Sequence, residues 1–421
     1  MRGIFFLLFF LAITILGNAQ TVEVSKFLIG KDYTGAMKRA FGSENDTLIV
    51  DKLDTPWIIG PMEFQGLKNK VIIIEPNVEI RAENGVFVKT SDALFEFQNC
   101  ENISIIGNGS KLSMNKDEYL DGEWRHGISI RKCKNMKIDN LCIEDTGGDG
   151  IYIAGFGKGS YSENIFLSRI IATNNKRQGI SIISGKNITV SESVFQETKG
   201  TLPGAGVDLE PNSKLDRLIN ITFSNCIFRN NDHAGILLAL SKLDSTSEPV
   251  SINFKKCVLQ NNHHPDNKYV ASEIVFGAHK TSPVQGKVVL KDCIVENSKW
   301  GLFYSRKTKE AYSVEFKDCL ARNICQDNSY PPIYLEVPDY YKGDFSLGGF
   351  KFQNLYLDYA SELPVFLVRG STMKTLGRLA EITGEIFIKN KKKNKFKYIK
   401  YDPSQNKNVR LAITIGQSAQ D

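Results

Sequence analysis

"NITVSESVFQETKGTLPGAGVDLEPN", residues 187–212, decides the fold. Apolar and polar residues alternate in "NITVSESVFQET" and again in "GVDLE", which is the period of a strand, and no 3.6-residue period runs through the stretch. Gly, Pro, Asn and Ser separate the pieces, so the segment reads as three short strands joined by turns. Such a unit has nothing of its own on which to bury an apolar face.

Outward from this stretch the unit recurs. Aligned on the last strand, the chain reads "HGISIR", "DGIYIA", "QGISII", "AGVDLE" and "AGILLA", with glycines at 127, 150, 179, 206 and 235, at steps of 23, 29, 27 and 29 residues. "SEIVFG" from Ser272, "WGLFYS" from Trp300 and "PPIYLE" from Pro331 continue the series. Between them lie paired strand-like pieces such as "NMKIDNLCIED", "NITFSNCIFRNN" and "KVVLKDCIVENS". Stacking such units buries one continuous core, which predicts an all-β, right-handed, single-stranded parallel β-helix. A leucine-rich repeat would need a helix in each unit, and a propeller four antiparallel strands in about 40 residues. Neither pattern is present.

"DYTGAMKRAF", Asp32 to Phe41, has helical spacing and predicts an N-terminal cap across the open end of the solenoid. Ile4 to Leu16 form a short apolar run after Arg2, followed by Gly17-Asn18-Ala19, the pattern of a cleavable export signal too short to span a bilayer. The expected organisation is 1–19 signal, 20–70 cap and first coils, 71–388 β-helix, and 389–421 a basic segment with the last strand. The chain is expected to be secreted or periplasmic, without membrane insertion after signal removal, and monomeric.

Of 53 basic residues, 52 remain once Arg2 is removed with the signal, against 47 acidic ones. This mild excess excludes no partner class. The run "KNKKKNKFK", Lys389 to Lys397, reads as a solvated surface guarding a strand edge. Nothing indicates nucleic-acid binding. Cys226, Cys257, Cys293 and Cys319 share one inward column and read as stacked buried thiols. Cys100 and Cys133, in another column on neighbouring coils, are the better disulfide candidates. No Cys/His spacing suggests zinc.

In the glycine-anchored strand, positions one and three after glycine are apolar and point inward; the glycine and positions two and four after it point out. The outward columns read Ser129, Tyr152, Ser181, Asp208, Leu237, Val275, Phe303, Tyr334 and Arg131, Ala154, Ile183, Glu210, Ala239, Gly277, Ser305, Glu336. Just before the glycines stand Arg125-His126, Gly148-Asp149, Arg177-Gln178 and His233-Ala234. Asp208, Glu210, Asp149, Arg177 and His233 are therefore the catalytic candidates. Arg125, His126, Tyr152, Gln178 and Ser181 are the substrate-binding candidates. The pattern places Asp208 and Glu210 together on an exposed face. Two coils separate Asp149 from Asp208, ~9.6 Å, near the upper end of the carboxyl separation that suits hydrolysis with inversion. The same three carboxylates also fit Ca²⁺, with Arg177 or a histidine abstracting a proton in β-elimination or epimerisation. Each residue has a plainer role as well: Asp149 as a turn residue, Arg177 as an ion-pair partner, His126 packed against Trp124. His263-His264 reads as a surface loop, and Trp124 and Trp300 as aromatics able to stack on sugars.

The signal, the amphipathic segment, "NISIIGNG" and the run of "GxGI" and "NITxxxCxFxNN" coils resemble the pectate-lyase-like superfamily of right-handed parallel β-helix proteins. The resemblance covers most of the chain beyond the signal. It implies a surface groove for a polysaccharide or oligosaccharide along one stacked face, as in the superfamily's lyases, inverting glycosidases, uronan epimerases and phage tailspikes. The paired-Asp, Gly-His-Gly and Arg-x-Lys set of polygalacturonases is missing, as is an Arg-x-x-x-x-Arg element of pectate lyases, so no site residue carries over. Three functions stay open: a glycoside hydrolase using a carboxylate pair, which leads; a Ca²⁺-assisted lyase or epimerase; and a non-catalytic adhesive solenoid.

Overall fold

The computed structural model describes residues 20–120, 123–266, 272–337, 345–360, 362–370, 377–389 and 395–416. The signal-like segment 1–19 and Lys391–Lys393 of the basic run lie outside them. The chain winds as a right-handed parallel β-helix. Twelve parallel strands, from Met62–Gln65 to Phe396–Ile399, stack into one sheet that carries the candidate site. The other pieces of each coil form a twenty-stranded sheet.

The corners of that larger sheet explain the asparagines. Asn69, Asn102, Asn135, Asn164, Asn187 and Asn220 all take positive φ, a conformation that short polar side chains tolerate best after glycine. Their amides form a ladder: Asn102 donates to Asn69 at 2.8 Å, Asn135 to Asn102 at 3.0 Å and Asn164 to Asn135 at 2.8 Å. A second ladder runs inside, where Asn231 donates to Asn262 at 2.7 Å and Asn262 donates to the buried carboxylate of Glu273 at 2.6 Å. These buried turn amides are satisfied by the next coil, whereas the buried amide nitrogen of Asn175 has no hydrogen-bond partner among the described residues.

The helix Tyr33–Phe41 closes the N-terminal end, with the Asp32 carboxylate accepting from Gly35 N–H at 2.8 Å as its N-cap. It buries Ala36, Met37, Ala40 and Phe41, and Phe41 stacks on Phe64 at 4.3 Å. At the other end the strands Phe345–Asp358, Gly377–Lys389 and Lys407–Ile415 add further parallel rungs, with one register shift between Phe352 and Leu355. Among the described residues no helix is long and apolar enough to cross a membrane.

All eight cysteines are free, Cys100 and Cys133 included. The thiols of Cys100, Cys133, Cys226, Cys257, Cys293 and Cys319 lie in the core and donate to carbonyls of the preceding coil, as from Cys133 to Phe97 O at 3.2 Å and from Cys293 to Phe254 O at 3.4 Å, whereas Cys142 is only half-buried.

Two points of register differ from the sequence reading. The glycine column does not face outward: a Cβ on Gly206 would stand 2.8 Å from Gly235 O and 2.9 Å from the inner amide of Asn231, so glycine is required by the tight turn over the asparagine ladder. In the Trp300 coil the alignment slips by one. Gly301 pairs with Ser272, Phe303 packs inward against Phe276 and Phe350, and Tyr304 takes the outward place opposite Val275. A one-residue slip exchanges the faces of a strand, and here the large apolar ring chose the core.

Candidate active site

The strands Ile128–Arg131, Ile151–Ala154, Ile180–Ile182 and Val207–Leu209 lie side by side, with Ser129, Tyr152, Ser181 and Asp208 in one outward row. Outward from the solenoid is not the same as exposed to water. Asp208, expected on an exposed face, is fully buried, as is Asp149, because Arg177, Gln178 and Glu210 close over them. Gln178 sets the position of Asp208. Its amide nitrogen donates to Asp208 Oδ2 at 2.9 Å while its oxygen accepts from Ala205 N–H at 2.6 Å.

Arg177 is the hub. Its Nη2 donates to Glu210 Oε2 at 2.8 Å, Nη1 stands 3.8 Å from Asp149 Oδ1, and Nε stands 3.4 Å from Glu123 Oε2. Glu123 was not among the sequence candidates. It sits in an irregular segment outside the repeat, and only its place beside Trp124 marked it. Gly148 admits that segment: a Cβ there would meet Trp124 O at 2.6 Å and Glu123 O at 2.8 Å. The second glycine of "GGDG" is thus needed for close packing as well as for a turn.

Glu123, Trp124, His126, Tyr152, Arg177, Ile183, Glu210 and Asn212 line a cleft of about 310 Å³ including its open mouth. The two carboxylates that reach its solvent side are Glu123, 56% exposed, and Glu210, 35% exposed. One wall is aromatic. His126 stacks on Tyr152 at 4.5 Å with ring planes 8° apart, and Trp124 lies 6.1 Å from Tyr152. Arg131 stands over the Tyr152 ring at 5.1 Å and pairs with Glu96 at 3.1 Å.

Burial dominates the protonation of these groups. It pushes the Asp149 carboxyl up to about 7 although Arg177 pulls the other way, and the Ser181 hydroxyl stands near without hydrogen-bond geometry. Burial, then the negative charge of Glu210, hold Asp208 well above the usual carboxylate range. Burial opposes the charge of Arg177, but Asp149 and Glu210 more than offset it and raise its pKa. Burial, then Arg131 and Arg177, keep His126 well below its ordinary value, hence neutral. Its Nδ1 accepts from Asp149 N–H at 3.0 Å, so the ring hydrogen is on Nε2. Burial likewise lifts the Tyr152 hydroxyl to about 12.

The remaining candidates lie elsewhere. Arg125 turns away from the cleft, donating to Phe87 O at 2.8 Å and Val88 O at 3.3 Å beside the Tyr119 ring, so it anchors a neighbouring loop. His233 packs 5.8 Å from His263 on the coil beyond Asp208, and burial lowers it to about 3. His263 is itself buried, unlike the surface loop expected, because Trp300 covers it and donates to its carbonyl at 2.7 Å. That contact also leaves Trp300 buried. Ca²⁺ does not fit the triad of Asp149, Asp208 and Glu210, since the Arg177 guanidinium occupies the space between Asp149 and Glu210. Among the described residues no group of three or more His, Cys, Asp or Glu side chains is placed to hold a metal.

Comparison with known proteins agrees with the fold. A model of the right handed beta helix region matches residues 84–316, more than half of the chain and all of the cleft. The uncharacterized protein YclG of Bacillus subtilis strain 168 is 28% identical over 193 residues, 40% of this chain and 33% of that protein. The match thus spans about a third of this curated relative. A tailspike protein mutant of E. coli bacteriophage HK620 in complex with a hexasaccharide superposes with a TM-score of 0.57 at 9% identity, over 94% of this chain and 76% of the tailspike. The mannuronan C-5 epimerase AlgE6 A-module of Azotobacter vinelandii gives 0.52 at 10% identity, over 94% of this chain and 99% of the module.

Proposed function

We propose, from the premise that the chain belongs to the right-handed β-helix family, that it is an exported enzyme, secreted or periplasmic and acting as a monomer, that hydrolyses a glycan laid along the site sheet. One observation carries this reading: four carboxyl groups, Glu123, Asp149, Asp208 and Glu210, gather around a single guanidinium. One positive charge cannot hold four ionised acids in a partly dry cleft, so protons settle on the most buried of them, Asp149 and Asp208. Protonated and ionised carboxyls then coexist at neutral pH, which is the requirement for acid and base catalysis of glycoside hydrolysis.

Glu210, partly exposed and paired with Arg177, is the base that activates water. Asp208 beneath it, fully buried and outside the cleft lining, is a proton store behind Glu210 rather than a group that touches the substrate. Arg177 holds Glu210 in place through its hydrogen bond, and Gln178 fixes Asp208. Trp124 and Tyr152 offer apolar surface to a sugar ring. The likeness to a tailspike bound to a hexasaccharide supports a glycan as ligand. The likeness to an epimerase keeps uronan chemistry as the second reading. Against it stands Arg177, which three carboxylates already engage and which is thus poorly placed to neutralise a uronate.

The test is to incubate the purified chain with neutral and uronic-acid polysaccharides while following reducing ends and ultraviolet absorbance together. New reducing ends with saturated products are expected. Unsaturated products would replace hydrolysis by elimination, and tight binding without new ends would make the solenoid an adhesin.

A further inference from the structure

The irregular segment that carries Glu123 brings more than one carboxylate to the cleft. Trp124 follows Glu123 directly and His126 stands two residues further on, so three side chains of one short stretch line the same opening. Each has bonding capacity left over. Glu123 is 56% exposed, and its 3.4 Å contact with Arg177 Nε is not a hydrogen bond. Its carboxylate oxygens are therefore open to a donor from outside. Trp124 is 37% exposed and offers ring surface at the cleft mouth.

His126 is the opposite case, 2% exposed and held rigidly. Its ring stacks on Tyr152 at 4.5 Å, Trp124 lies 5.8 Å away, and its Nδ1 accepts from Asp149 N–H at 3.0 Å. A ring nitrogen that accepts carries no hydrogen, so the imidazole is neutral and its one N–H is at Nε2. Among the described residues that N–H has no partner, although the ring lines the cleft. A buried donor left unmade costs about 1–3 kcal/mol, which a ligand oxygen would remove. Donor, acceptor and ring face together match what a sugar presents: hydroxyl oxygens, hydroxyl hydrogens and a patch of C–H. The lining also selects by charge. It holds two acidic side chains, Glu123 and Glu210, and one basic, Arg177, which is already drawn to both and to Asp149.

We propose that Glu123, Trp124 and His126 form a subsite that selects a neutral sugar: Trp124 takes one face of the ring, Glu123 accepts from a hydroxyl, and His126 Nε2–H donates to a hydroxyl oxygen. The inference rests on the glycan reading above and adds that the substrate is uncharged where it meets the cleft. A uronate puts an acceptor where Glu123 needs a donor, and sets like charge against like. Glu123 is then the residue that excludes acidic sugars.

The test uses the full chain carrying Asp208→Asn, which slows turnover and leaves the cleft lining as it is. The probes are hexasaccharides of glucose, mannose and galactose, each also oxidised at its primary alcohols to the uronate, and they are titrated by calorimetry. The expected result is that at least one neutral hexasaccharide binds about tenfold or more tighter than its oxidised form, and that adding Glu123→Gln narrows this ratio at least about fivefold. His126→Phe, which keeps a flat ring beside Tyr152, should weaken the neutral ligand at least about fivefold. Thermal melting confirms that the variants are folded. In the chain with His126 intact and ¹⁵N-labelled histidine, the Nε2–H resonance of His126 should move when the neutral ligand saturates, a signal that needs no variant. An oxidised ligand that binds as tightly as its neutral form, a ratio unchanged by Glu123→Gln, or an Nε2–H resonance unmoved by a bound neutral ligand overturns the subsite and leaves the glycan reading standing. Failure of all six ligands to bind overturns both.

Discussion

Asp149 and Glu336 are both buried acids beside arginine, and their surroundings are opposite. Glu336 accepts from two tyrosines and Arg306 and has Arg369 near it. Among the described residues neither oxygen of Asp149 has a hydrogen-bond partner, and its nearest cation is 3.8 Å away. A carboxylate with every lone pair engaged holds a shape. One left unsatisfied carries a cost that folding alone does not explain, and such groups concentrate where chemistry is done. The contrast separates a region built to hold its shape from one built to react.

The largest expected effect lies on the reactive side. Glu210→Gln should cut turnover on any cleaved glycan by about 10²- to 10⁴-fold with little change in melting temperature, since its side chain is partly exposed. Glu336→Gln should do the reverse, lowering stability by about 1–3 kcal/mol while reducing turnover of short oligosaccharides far less. Parallel initial rates and melts of the two variants would show whether the regions divide in this way.

Next comes the pH dependence of stability. Asp149 has a folded pKa of about 7, above its unfolded value. Its contribution to stability is therefore fully present below about pH 4 and is lost as pH rises through 7. Asp149→Asn removes that loss. Urea midpoints of parent and variant should nearly coincide at pH 4 and separate by pH 8, the variant being more stable by up to about 4 kcal/mol. A variant less stable at pH 8 would make Asp149 a structural acid like Glu336.

A smaller effect is expected from Gly148→Ala. The added methyl would push against the Glu123 and Trp124 carbonyls, costing about 1–3 kcal/mol. It should also displace one cleft wall, so a tryptophan fluorescence shift should accompany the loss of stability and of turnover. The smallest effect belongs to the core: with all cysteines free, a reductant should leave the melting temperature unchanged, whereas a fall on reduction would reveal a disulfide.

Much of the fold is legible in the glycine-anchored steps, because a strand-only unit of fewer than 30 residues has no core of its own and must stack. The gathering of Asp149, Arg177, Asp208 and Glu210 is legible for the same reason, since positions in one column become neighbours. What escapes the sequence lies where the column rule fails. Glu123 belongs to a segment outside the repeat. Tyr304 and Arg306 hide behind a glycine that aligns by type yet pairs one residue away, because Phe303 takes the core. The burial of Asp208 depends on side chains from the preceding coil closing over it, which alternation does not encode. His263 shows the converse, a loop histidine drawn inward by the hydrogen bond and ring contact of Trp300.

The central claim is that the cleft holds protonated and ionised carboxyls together at neutral pH, and it can be measured without knowing the substrate. Protein labelled with ¹³C at aspartate carboxyl carbons would be titrated by carbon-detected NMR, with Asp149→Asn and Asp208→Asn assigning the two resonances. The account predicts that Asp149 titrates near pH 7 and that Asp208 holds its proton well above the usual carboxylate range. Midpoints of both residues below about pH 4, the range of unperturbed aspartate, would contradict it.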